Sequence, residues 1–330
     1  MSRRPDPDLT AVRLAVRRGL AALPAATRAA PLVVACSGGA DSLALAFAVR
    51  ALCPDRMRVV IVDHGLQTGS AERSADLAAL LVARGVPAAV RTVTVEGPGG
   101  VEAAARRARY AALAAARPHP DSPVLLGHTL DDQAETVLLG LGRGSGPRSI
   151  AGMRSWDPPW ARPLLGVRRA VTQAACRSLD VPVWDDPHNR DPRFTRVRLR
   201  HEVLPLLEDV LAGGVAEALA RTAHQLQEDG EALDAWAARV GAAARAAVVT
   251  GAGLRARDLA PVPPAIRRRV LRDWLLDAGA KELTDGHLRS ADDLVGRWRG
   301  QGGVALPGGL ELVRRDGTLL LRRTEAPSGG

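Results

Sequence analysis

Ser37, Gly38, Gly39, Ala40, Asp41 and Ser42 follow the apolar run Val33, Val34, Ala35, Cys36 and precede Leu43, Ala44, Leu45 and Ala46. Glycines admit positive φ and remove the Cβ that would keep an anion away, and N–H groups at a helix start point outward with the favourable end of the macrodipole. A strand, glycine loop and helix in this order suit phosphate, with the Ser37 and Ser42 hydroxyls as further donors. No lysine follows the glycines, so the loop is not the GxxxxGK[ST] type. The plain alternative is a turn that only caps a helix.

A second stretch runs His128, Thr129, Leu130, Asp131, Asp132, Gln133, Ala134, Glu135, Thr136, again after an apolar run, Val124 to Gly127. At helical spacing His128, Asp132 and Glu135 share one face. Carboxylates there can hold Mg²⁺ or the ammonium of a cationic substrate, whereas a solvated acidic face is the ordinary alternative. Asp63 and His64 follow a third apolar run, 57–62, where an adenosine group can lie.

These residues need a frame. Apolar runs at 31–36, 57–62, 88–95 and 124–127 alternate with helical patterns at 41–52, 70–84, 101–117 and 131–141, after an opening helix at 9–23. Strands separated by helices require crossovers, so the sheet is expected to be mainly parallel with helices on both faces. Ligands of such sheets bind beyond the carboxyl ends of the strands, where all three clusters fall.

Residues 142–163 read as a long functional loop, 165–179 as helix, 185–193 as loop, 194–207 as a basic helix and 216–248 as Ala-rich helix. Pro261, Pro263 and Pro264 mark a boundary feature, 265–278 reads as helix, and 303–323 has a hairpin pattern around Asp316-Gly317. The tail 324–330 is expected to be unstructured. The resulting division is a catalytic domain over 1–210, a helical linker over 211–255 and a small C-terminal α+β domain over 256–330. The six tryptophans are scattered and read as packing residues.

The 330 residues carry a formal net charge of +9. A pI near 10.9 points to a polyanionic partner such as nucleic acid. Cys36, Cys53 and Cys176 are isolated, so neither a disulfide framework nor a CxxC metal or redox site is expected, and a reducing cytoplasm fits. No run of about 18 apolar residues suggests a membrane span.

SGGADS resembles the SGGxDS loop of the PP-loop ATP pyrophosphatase superfamily, which splits ATP into AMP and pyrophosphate. HTLDDQAET is similar to the HxxDDQxET signature of the tRNA(Ile)-lysidine synthase family. Further matches are Glu102 with Arg106, Arg107, Arg109 and Tyr110, then Arg162-Pro163-Leu164-Leu165, then Asp186, Asn189 and Asp191 followed by Phe194, Thr195, Arg196, Arg198, Arg200 and His201. Together they span 31–205; one departure is Val197, where the pattern has Asn. The C-terminal part matches more weakly, through 267–276 and the hairpin region.

The resemblance implies a PP-loop, adenine nucleotide alpha hydrolase-like domain and a carbon–nitrogen ligase. That ligase would adenylate the wobble cytidine, position 34, of the CAU-anticodon tRNA(Ile) and join L-lysine to its C2, shifting codon reading from AUG to AUA. ATP and Mg²⁺ are the implied cofactors. Asp41 and Asp132 are implied as metal ligands or catalytic acids, Glu135 as a group for the lysine amine, and His128 as the proton-handling partner. Arg106 is implied as a catalytic phosphate-neutralising group. Ser37 to Ser42, Asp63, His64 and Arg109 are implied at ATP, and Arg162, Asn189, Arg196, Arg198 and Arg200 at tRNA. A homodimer stays open.

Two rivals share the loop. RNA thiolases use paired cysteines or an iron–sulfur cluster, which isolated cysteines do not supply, so no such cluster is expected. An amidotransferase-type synthetase would need a cysteine nucleophile where Ser2 stands. A non-catalytic RNA-binding module explains the charge but neither motif.

Overall fold

The computed structural model describes residues 6–98, 100–144, 146–184, 186, 191–246 and 253–324. The chain divides into two compact units, Met1–His224 and Gln225–Gly330.

In the first unit α1 (Pro7–Ala21) and α2 (Ala25–Ala29) precede four strand–helix steps: β1 (Leu32–Ala35) and α3 (Ala40–Leu52), β2 (Met57–Asp63) and α4 (Ser70–Ala83), β3 (Ala88–Thr92) and α5 (Gly100–Ala115), β4 (Val124–Leu125) and α6 (Leu130–Arg143). Then come α7 (Pro147–Ile150), β5 (Trp156–Asp157), β6 (Trp160–Ala161), α8 (Arg169–Ser178), α9 (Thr195–Arg198) and α10 (Leu204–Val210), and α11 (Val215–Ala246) carries the chain onward. The sheet order is β3-β2-β1-β4-β6-β5, parallel except for β5. The chain leaves β1 towards β2 and β3, then returns to its other side as β4. The β1/β4 junction is therefore the topological switch point, where a crevice opens beyond the strand ends.

Both faces of β1 are covered, as its continuous apolar run requires. Leu32 and Val34 pack with Leu43, Leu45 and Leu81 on one side, and Val33 packs with Val60, Leu113 and Val124 on the other. Each such side chain contributes roughly 1.5–3 kcal/mol by leaving water, so the loop after β1 hangs from a heavily buried strand.

Three sequence readings need correction. Residues 142–163 are not only loop, because β5 and β6 extend the sheet; strands of two residues leave no alternation to detect. His128 lies before α6 rather than on it, because Thr129 is the N-cap and begins a capping box with Asp132. The basic helix is interrupted by a π-helical turn, Leu199–Val203, in which the Leu204 N–H donates to Leu199 O. Val197 is buried, in keeping with an apolar residue there.

In the second unit β7 (Gly253–Arg255), α12 (Ala256–Leu259), α13 (Pro264–Asp277), α14 (Asp285–Gly296), β8 (Val304–Leu306), β9 (Leu310–Arg315) and β10 (Thr318–Arg323) form an antiparallel sheet, order β7-β10-β9-β8, packed on helices. Pro264 opens α13 at a position where its missing N–H costs nothing. Asp316 and Gly317 turn the β9–β10 hairpin at φ 47° and 74°, the left-handed pair that such tight turns need. Leu254, Leu259, Ile266, Leu271, Leu275, Leu312 and Leu319 form its core, and Arg267 pairs with Asp292 inside it at 2.6 Å.

Candidate active site

The loop after β1 turns at Gly38, whose φ of 86° suits glycine, and enters α3 at the N-cap Gly39. Ser42 Oγ donates to Gly39 O at 2.9 Å and accepts from the Ser37 N–H at 3.1 Å. This closes the loop on itself and aims the first N–H groups of α3 at the crevice. Beside it, Gly127 at the end of β4 comes so close that an added Cβ would stand 3.0 Å from the Asp41 carbonyl and the Ser42 nitrogen. Backbone on both sides leaves nothing to yield. Gly127→Ala is therefore expected to push the loop off β4 and to weaken, roughly ten-fold, binding of the ATP that the resemblance implies; titration calorimetry on a variant with unchanged circular dichroism checks this.

A cavity of about 380 Å³ opens here, walled by Ala35, Val60, Val62, Leu113 and Leu126 and edged by Ser37, Gly39, Asp41, His64, Arg109, His128, Asp132 and Arg200. Its apolar walls suit a flat base and its polar edge a phosphate chain. Asp63 is buried outside it, and its carboxylate accepts from the Gly65 N–H at 3.0 Å. His64 Nδ1 and His128 Nδ1 are buried without a hydrogen-bond partner among the described residues, the state of groups placed for a ligand.

The charges separate by side. On one side the Arg106 guanidinium stacks over the Tyr110 ring at 4.7 Å and donates to its hydroxyl at 3.1 Å, with Arg109 at 5.7 Å. Tyr110 is braced edge-on against Trp160 at 4.5 Å. Arg162 is buried, donates to Arg154 O at 2.9 Å and keeps Nε without a partner among the described residues. Burial pushes His128 down to about 4; the Asp132 charge opposes this, and Arg162, Arg109 and Arg106 reinforce it. His128 is thus neutral at physiological pH.

On the other side stand the acids, and the sequence reading missed what meets them. Arg169, the first residue of α8, donates from one Nη to Asp132 Oδ1 at 2.6 Å and Glu135 Oε1 at 3.3 Å, and its Nε lies 3.5 Å from Asp41 Oδ2. Its main-chain N–H donates to Asp131 at 2.7 Å. Arg200, from the π turn, donates to Glu135 at 2.8 Å and approaches Asp132 at 3.4 Å. Arg196 lies 3.6 Å from Glu135, which is fully buried. No motif in the sequence singled out Arg169; the RPLL stretch ends at Leu165.

Asp132 serves twice: Oδ2 accepts from the Thr129 N–H and hydroxyl at 2.8 and 2.9 Å, and Oδ1 faces Arg169. Burial pulls its carboxyl upward, but the Arg169 charge and the Thr129 N–H prevail and hold it below the usual range. Asp41 goes the other way. Burial raises it to about 6, against the Thr172 hydroxyl and Arg169 and with help from Asp132. Arg198 points elsewhere, paired with Glu202 at 2.9 Å, and Asn189 lies outside the described residues.

Two family models match this chain: a PP-loop domain over residues 13–207 and a TilS substrate binding domain over 254–320. A tRNA(Ile)-lysidine synthase of Mycolicibacterium paratuberculosis is 62% identical over 88% of this chain and 90% of its own. One of Rhodococcus erythropolis is 58% identical over 96% of each. A U34-tRNA thiolase, NcsA from Methanococcus maripaludis, shares the fold at 16% identity with a TM-score of 0.53, over 67% of this chain and 80% of that one. No helix among the described residues is long and apolar enough to cross a membrane.

Proposed function

The chain belongs to the tRNA(Ile)-lysidine synthase family, and from that premise we propose that its switch-point crevice adenylates the wobble cytidine, position 34, of the CAU-anticodon tRNA(Ile) and joins L-lysine to it. One observation carries the assignment of residues: a single guanidinium, Arg169, reaches the glycine-loop acid Asp41 and the α6 acids Asp132 and Glu135. Acids from two strand ends thereby converge beside a phosphate loop.

The C2 oxygen of cytidine is a poor leaving group until it is phosphorylated. In the first step it attacks the ATP α-phosphorus; the new O–P bond forms, the bond to the β-phosphate breaks, and pyrophosphate leaves. Ser37 and the first amides of α3 hold the phosphates, whereas Ser42, whose hydroxyl proton is spent on Gly39 O, shapes the loop; Arg109, which lines the cavity, and Arg106 beside it are assigned to the charge that develops. In the second step the lysine ε-amine attacks C2, and AMP departs with the electron pair. The amine must shed a proton, and His128, uncharged through burial, is the group assigned to take it. Glu135 is the acid for the lysine ammonium, in exchange with Arg200.

Mg²⁺ fits this donor set. Among the described residues no group of three or more His, Cys, Asp or Glu side chains could hold a metal alone; Asp41 and Asp132 supply two carboxylates, and a Mg²⁺ site commonly takes the rest from phosphate and water. When bound it screens the phosphate charges. For the tRNA backbone, Arg196, which is partly exposed, is the nearer cation; Arg198 would have to leave Glu202 and Arg200 would have to leave Glu135 to join it.

Arg106→Ala should cut adenylation by about a hundred-fold while changing tRNA affinity little; the reverse split in filter binding and pyrophosphate exchange would reassign Arg106 to RNA. The decisive test supplies ATP, labelled lysine and the CAU-anticodon isoleucine tRNA, then maps the label by mass spectrometry. Lysine on the first anticodon base is the expected result, and label elsewhere or nowhere refutes the proposal.

A further inference from the structure

A second opening meets Asp41 from the side of α8. It has a volume of about 620 Å³ and is bounded by Trp184, Arg169, Gln173, Arg177, Arg200 and His201. Trp184 is not a packing residue of the ordinary kind. The residue is 43% exposed, yet its main chain and its ring are both engaged. The Trp184 N–H donates to Gly38 O at 3.0 Å, which ties it to the phosphate loop. Arg73 stacks on the ring with its guanidinium carbon 4.9 Å from the centroid. That arginine is itself fixed by Thr68 O at 2.7 Å and Gln67 Oε1 at 3.0 Å, and Gln67 also donates to Asp186 at 3.0 Å.

A rigid, exposed indole costs little entropy to use as a platform, and a cationic frame around it is what single-stranded nucleic acid selects. Gln173 and Arg177 are one turn apart on α8, so they face the opening together. Arg177 makes no ion pair among the described residues. The arrangement offers an aromatic face for a base, an amide for its polar edge and guanidinium groups for the phosphate beside it, all next to Asp41.

We infer that this opening receives the nucleotide to be modified, with its base stacked on Trp184, Gln173 at the base edge and Arg177 at the adjacent phosphate. The assignment rests on the tRNA reading above and adds a residue to it. Trp184 is a positioning residue: it touches the base but moves no proton and no charge.

The test uses the full chain and the isoleucine tRNA with pyrrolocytidine, whose fluorescence falls on stacking, at the first anticodon position. With the wild type, binding should quench the emission. Trp184→Ala should leave the emission unquenched and lower kcat/KM for unlabelled tRNA in adenylation by about ten- to a hundred-fold. Its ATP affinity should hold, because the bond to Gly38 is made by the main chain. Trp184→Phe should restore most of the quenching and the rate. Equal quenching by wild type and Trp184→Ala overturns the inference even if lysine transfer proceeds. Lowered ATP affinity in both variants, with quenching intact, shows a structural role and also overturns it. A wild type that never attaches lysine to the tRNA would instead refute the family reaction for this chain.

Discussion

Arg169→Ala is expected to lower tRNA-dependent ATP–pyrophosphate exchange by a hundred-fold or more, the scale at which one electrostatic group in a preorganised site matters. Without it the carboxylates of Asp41, Asp132 and Glu135 would face one another across the crevice without their shared cation. Asp132 and Glu135 would keep Arg200, and Glu135 also Arg196. Removing one partner of a buried pair costs about 3–5 kcal/mol when the other is left alone, and here the loss should be smaller. The protein should still fold while the chemistry fails. Arg169→Lys should not rescue it, because a compact ammonium cannot present the forked donors that reach acids on two elements. Exchange near the wild-type rate in either variant, measured with labelled pyrophosphate, would show that the bridge is dispensable.

Asp41→Asn should separate stability from activity. The Asp41 carboxyl, ordinarily near 3.8, is raised to about 6 in the folded chain. Between those values the native state holds a proton that the unfolded state has lost. Stability therefore falls as pH rises through this window, leaving a deficit of at most about 3 kcal/mol above it. Asparagine never ionises, so the variant should melt a few degrees higher than wild type at pH 8, with the difference gone by pH 4. Its exchange activity should be lost at every pH, because the amide that replaces the carboxylate carries no charge for the nucleotide site. Thermal melts at the two pH values decide the matter: a variant less stable at pH 8 would mean that the ionised carboxylate supports the fold.

The parts legible in the sequence were those with short-range signals. The glycine loop announced itself through one strand and one helix start, and the acids through spacing within a single turn and a half. Arg169 did not, because its partners lie at least 34 residues away in the chain and many arginines look alike before packing selects one. His128 was misplaced onto the helix by the same periodicity that found Asp132, since spacing does not tell which residue caps. Trp184 looked like any scattered aromatic until its exposure and its bond to Gly38 were known.

The π turn at Leu199–Val203 has a bearing on how this sequence can change. Upstream of it Arg196 addresses Glu135, within it Arg200 does so, and just after it Leu204 packs against Leu130 and Ala134 of the same helix α6. Each residue of an α-helix advances the phase by about 100°. A one-residue deletion inside the turn would let the helix run regularly, at the cost of aiming either the guanidinium groups or the leucine away from α6. Insertions and deletions should therefore be tolerated far less here than at the exposed C-terminal end of α10, even where every individual side chain is preserved.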